Sequence, residues 1–188
     1  MCKPMSAFFR LLDDVHLRGR WHLGELFDQS GAPVDLDLAQ TVGSNCLRCD
    51  VSIVGAPLEF SLTGLNAPIA RARLASAMQG VAAGDLQLIP VVVDGCRDVV
   101  AVNIVRTIRC LDDAGSSSVM KWGAADGRPD KVGHYRMVTG LRITPELVPE
   151  DAHIFRVEGW PVALIVSRTM KESMERAGCR GAVFVPVA

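Results

Sequence analysis

The sequence predicts an α+β fold with mostly antiparallel pairing. Short β-branched runs recur along the chain, helical periodicity appears in two stretches, and each of those stretches is flanked by strand-like runs in the same order. With 188 residues, 49% of them apolar, the chain can bury a core without disulfide or metal staples, so a single domain over 1–188 is expected. Within it, 58–91 and 154–187 read as an internal repeat of two related strand-helix-strand units.

The opening MCKPMSAFFRLLDDVH (1–16) mixes Lys3, Arg10, Asp13 and Asp14 into a short apolar patch. That is too interrupted for a secretory core, so no signal peptide is expected. RWHLGEL (20–26) has strand character, SGAP (30–33) is a turn, and DVSIVG (50–55) returns to strand. Residues 85–113 hold two β-branched runs joined by a turn at Asp94 and Gly95, a hairpin signal. Residues 114–134 follow, rich in Gly and Ser, as the longest irregular segment, and 135–148 regains strand character. Pro145 and Pro149 argue against a long helix there. The C-terminal stretch 153–187 reads as strand, turn, strand, capped helix and strand. Ser167 is placed as N-cap and Gly178 just past the last periodic residue, which predicts a helix close to 168–177.

The repeat rests on matched positions. Phe60 and Gly64 stand 95 residues before Phe155 and Gly159. After one inserted residue the offset becomes 96, pairing Leu74 with Met170, Met78 with Met174, Val81 with Ala177 and Ile89-Pro90-Val91 with Val185-Pro186-Val187. In the first unit Ala72 stands where Ser167 does, so that helix lacks a cap, and Gly80 weakens it further by about 1 kcal/mol relative to Ala.

Catalytic signatures are sparse. There is no phosphate-binding loop, dinucleotide fingerprint, nucleophile elbow or H-E-x-x-H. His16, His22, His134 and His153 are scattered, and no catalytic residue is assigned. Cys46-Leu47-Arg48-Cys49 has the spacing of half a zinc site, with no second pair and no histidine pair to complete it, so neither metal nor cofactor is expected. Asp13-Asp14 and Asp112-Asp113 would point to opposite faces of a strand, which suits turns and caps better than paired acid–base work.

A formal net charge of −1 and the absence of an aromatic ladder among the cations argue against a nucleic-acid groove, so no nucleic-acid partner is expected. The longest apolar runs, such as PVALIV (161–166), are a third of what a membrane helix needs, and the six cysteines read as reduced thiols, so a soluble cytoplasmic protein is expected. Trp122 lies in the irregular segment, where a large ring either plugs the core or awaits a partner. With Lys121 and Arg136 it forms the candidate partner-binding set.

The runs IFRVEGWPVALIVS (154–167), MERAGCRG (174–181), AVFVPV (182–187) and VNIVRTIRCLDD (102–113), with the marked residues Asn103, Cys110, Leu111, Asp112, Phe155, Gly181 and Phe184, carry a family resemblance over roughly 20–187. The chain resembles the eleventh immunity-protein family of bacterial polymorphic toxin systems, formerly a domain of unknown function. The resemblance implies a small cytoplasmic α+β protein that binds and neutralises a cognate toxin protein without catalysis. The alternative is a small hydrolase-like enzyme centred on His134 and nearby aspartates.

Overall fold

Residues four apart share a helix face, and in this chain that spacing joins two helices to one another. Leu74, Ala75, Met78 and Ala82 of α1 (Ala72–Ala82) and Met170 and Met174 of α2 (Arg168–Arg176) are all buried, and they form part of one apolar cluster. The Ser173 hydroxyl donates across the helix pair to the Ala77 carbonyl at 3.2 Å. The computed structural model describes residues 7–43, 46–64 and 66–188, so Cys2 and Lys3 of the opening stretch lie outside the described residues.

The two helices start differently. Ser167 Oγ accepts from the Met170 amide, the cap its sequence position calls for. Helix α1 begins after Arg71 with no side-chain cap, and the Ala72 amide instead donates to the carbonyl of Asp98, a residue held at φ +60. The first helix is thus capped by a distant loop, and no local sequence signal could announce it.

The described strands are β1 (Phe8–Asp13), β2 (His22–Phe27), β3 (Leu47–Ile53), β4 (Phe60–Leu62), β5 (Pro68–Arg71), β6 (Leu86–Val93), β7 (Val99–Ile104), β8 (Thr107–Ile108), β9 (Ser118–Lys121), β10 (Tyr135–Thr139), β11 (Ile154–Val157), β12 (Trp160–Ser167) and β13 (Ala182–Pro186). They build a six-stranded sheet in the order β2-β3-β6-β7-β5-β4, a five-stranded sheet in the order β13-β1-β12-β11-β8, and the separate hairpin β9-β10. Pairing is antiparallel except for β3 with β6 and β8 with β11. This is an α+β fold in which sheets dominate.

Each helix follows a hairpin and leads into a strand that does not pair with the strand before the helix. In the six-stranded sheet β7 separates β5 from β6, and in the five-stranded sheet β1 separates β12 from β13. The registers around the two inserted strands correspond: Val102 faces Leu88, and Leu11 faces Phe184. At the hairpins the sequence pairing of Phe60 with Phe155 does not hold in space. Phe60 packs in the helix cluster, whereas Phe155 points to the far side of its sheet and Ile154 packs toward the helices. A one-residue shift on a strand reverses the face.

Alternation along the strands divides the interior into three layers. Leu164 and Val166 of β12 face the helices, while Ala163 and Ile165 face the opposite cluster with Phe155, Trp160 and Cys110. In the six-stranded sheet Ala70 faces the helices and Ile69 the third cluster, built around Trp21, Leu26, Leu36 and Leu47. Strands buried on both faces read as continuous apolar runs, the pattern of PVALIV.

Two joints tie the halves. Arg106, between β7 and β8, forms ion pairs with Asp85 at 3.1 Å and Asp151 at 2.9 Å. Gly181, at φ +105, lies so close to the Phe60 carbonyl of β4 that a Cβ would collide with it, and its own carbonyl accepts from the Asp14 amide. Glycine is required there on both counts.

Candidate functional face on the hairpin

The segment 114–134 is more ordered than its composition suggests. Ser118–Lys121 forms β9, which pairs with β10 and turns what read as an irregular connection into a hairpin arm. The signal lies in the alternation of SVMKW and YRMVT. Val119 opposes Val138, and both pack on the far cluster of the five-stranded sheet, while Met120 opposes Met137 on the other face. Met120 and Met137 are 46% and 42% exposed, and Val132 in the connecting loop is 47% exposed. None of these three was singled out by charge or aromaticity, yet together they supply apolar surface.

Trp122 continues the ladder beyond β9. Its amide donates to the His134 carbonyl at 2.9 Å, and its carbonyl accepts from Gly133. The indole is half-buried, with the Arg136 guanidinium 4.8 Å and the Lys131 ammonium 5.7 Å from the ring centroid. Asp126 fixes that arrangement: one carboxylate oxygen accepts from the Gly123 amide at 2.7 Å and the other from Arg136 at 3.1 Å. The fold therefore brings Trp122 and Arg136 together.

Lys121 occupies a different position. Its ammonium lies 4.8 Å from the Tyr135 ring centroid and 2.6 Å from Asp113, whose carboxylate also accepts from the Tyr135 hydroxyl at 2.7 Å. The Lys121 bond, followed by that from Tyr135, holds the Asp113 carboxyl below its usual range. Tyr135 is anchored through its amide to the Gly159 carbonyl, which docks the hairpin on the β11-β12 turn. The hairpin thus carries two exposed methionines and an indole with the Arg136 guanidinium held beside it, residue types that are enriched at protein interfaces.

The other sequence candidates have structural roles. His134 is exposed and gives its backbone to the hairpin. His153 Nδ1 lies 3.0 Å from Ser167 Oγ, which already accepts from Met170 to cap α2. Asp112 accepts from the Gly115 amide and Asp14 from the His16 amide, both turn roles, while Asp13 pairs with the buried Arg20 at 2.7 Å. Cys49 is buried on β3 and its thiol is pushed up to about 12, chiefly by burial, which keeps it protonated. Among the described residues no cluster of three or more His, Cys, Asp or Glu side chains could hold a metal ion, and no helix is long and apolar enough to cross a membrane.

The fold and this face define an α+β scaffold that presents a cation-framed apolar hairpin. Residues 97–188 match the model of the immunity protein family Imm11, the family that the marked residues resemble. A comparison with curated proteins finds no match. The matched stretch runs from just before β7 to the C-terminus and contains the whole hairpin; residues 1–96, much of which the resemblance also covered, lie outside it. The marked residues prove to be interior or structural: Asn103, Cys110 and Phe155 are fully buried, Phe184 packs on the helix cluster, and Gly181 forms the joint to β4.

Proposed function

We propose that this protein is a cytoplasmic immunity protein of a bacterial polymorphic toxin system, which neutralises a cognate toxin by binding it, without catalysis, through the outer face of the β9-β10 hairpin. The match to Imm11 over residues 97–188 carries this reading, because it includes the hairpin complete. The face itself supports it: Trp122 and Arg136 are pre-stacked, so little side-chain entropy is lost on docking, and Met120 and Met137 offer adaptable apolar contact. On the same reading, 58–91 and 154–187 are two related strand-helix-strand units, supported by the matching registers around β7 and β1.

The test is binding of the purified chain to the toxin domain encoded beside its gene, with growth of cells expressing that toxin as a second readout. The expected result is a stoichiometric complex and rescue by the wild-type chain, with both impaired by Trp122→Ala. A wild-type chain that protects cells without forming a complex would refute binding as the mechanism.

A further inference from the structure

The segment 35–43 has no regular secondary structure and crosses the molecule as a strap held at a few points. Leu36 is buried in the cluster behind the six-stranded sheet. Beyond it Val42 packs partly on the same cluster, and the polar attachments come from both sheets. The Gln87 side chain on β6 donates to the Val42 carbonyl at 2.8 Å and accepts from the Val42 amide at 3.0 Å. Asn103 Nδ2 on β7 donates to the Gln40 carbonyl at 2.8 Å, and Arg156 on β11 forms an ion pair with Asp37 at 2.8 Å.

These attachments are incompletely satisfied. Asn103 and Arg156 are 0% exposed, yet among the described residues Asn103 Oδ1 and Arg156 Nε have no hydrogen-bond partner, and Asp37 Oδ1 approaches the guanidinium without hydrogen-bonding alignment. Between the anchors Leu38 is 65% exposed and Ala39 takes φ +52, a conformation that costs a residue with a Cβ. Buried groups left unpaired, a misaligned ion pair and local backbone strain all weaken the closed position while the rest of the fold stays packed.

We propose that the strap of residues 35–43 is a detachable flap, seated over the buried Arg156 and Asn103, that lifts while the rest of the fold stays packed, its closure sensitive to pH through Asp37. Burial pushes the Asp37 carboxyl up to about 6, outweighing the attraction of Arg156, and Asp35 on the strap adds to the rise. Arg156 is lowered by the same burial, so both partners pay more in lost hydration than they recover from each other. The charged groups acting on Asp37 are Arg156 from β11 and Asp35 from the strap itself, and those acting on Arg156 are the same two aspartates.

The direction follows from linkage. A lifted Asp37 has the ordinary carboxyl range, so the closed form binds its proton at higher pH than the open form does. Closure is therefore strengthened as pH falls through about 6, and that gain is lost as pH rises through the same value. Lifting the strap uncovers the Arg156 guanidinium and Asn103, a polar surface that the closed form hides.

Hydrogen–deuterium exchange on the whole chain tests this, with rates corrected for intrinsic exchange. The amides of 35–43 should be about tenfold better protected at pH 5 than at pH 7.5, and Asp37→Asn should flatten that dependence. Equal protection at both pH values, or exchange of the strap only in step with whole-molecule unfolding, would overturn the proposal. A carboxyl-carbon titration of wild-type Asp37 by NMR serves if the variant does not fold: a midpoint near 6 supports the flap, and one below about 4.5 refutes it.

Discussion

The Arg136 guanidinium lies 4.8 Å from the centroid of the Trp122 ring and is held there by Asp126, so the indole is fixed before any partner arrives. Trp122→Ala removes a half-buried ring from the end of a hairpin, not from a core cluster. It should lower fold stability by no more than about 1 kcal/mol while weakening toxin capture at least about tenfold, the loss typical of an interface anchor. Thermal denaturation and titration calorimetry separate the two effects. A large fall in melting temperature with normal affinity in the folded fraction would place Trp122 in the core instead.

Met120→Lys and Met137→Lys should each weaken capture with little effect on stability, because both side chains already face solvent. Val138→Lys, one position away on the buried face, should instead destabilise the chain by several kcal/mol, about the cost of an unpaired buried charge. Denaturant midpoints for the three variants check the assignment of faces.

Gly181→Ala should cost about 3 kcal/mol or more, since it adds a Cβ at φ +105 against the Phe60 carbonyl backbone, which has no flexible end to move aside. Equilibrium urea unfolding measures it. A loss below about 1 kcal/mol would mean that the joint between β4 and the end of α2 relaxes freely.

At pH 8 a thiol-specific reagent should leave Cys49 and Cys110 unlabelled in the folded protein and modify both after denaturation. Burial raises both thiols to about 12, which leaves almost no thiolate four units below. Mass spectrometry of labelled peptides reads this directly, and rapid labelling of either cysteine under native conditions would contradict the packing described.

What was legible in the sequence was local. Ser167 and Gly178 bracket α2 because a cap hydroxyl and a left-handed C-terminal glycine act within a few residues. The β6-β7 hairpin showed through its Asp94-Gly95 turn. The cap of α1 was illegible because Asp98 supplies it from 26 positions away. The opening patch FFRLLD gave no sign of being a central strand, since its partners β12 and β13 lie at the other end of the chain. At the candidate face, aromaticity pointed to Trp122 and charge to Arg136. The exposed methionines emerged only once the ladder register showed which side of the hairpin they occupy.

The position of β1 between β12 and β13 also governs when the molecule can be finished. Phe8–Asp13 is synthesised well before Trp160–Ser167 and Ala182–Pro186, so β1 waits for both of its partners before the five-stranded sheet can close. Closing contacts between strands so far apart in sequence slows the search for the native state, and a chain cut before Ala182 leaves β1 with a bare edge open to aggregation. Closure of this sheet therefore joins strands that are made at widely separated times.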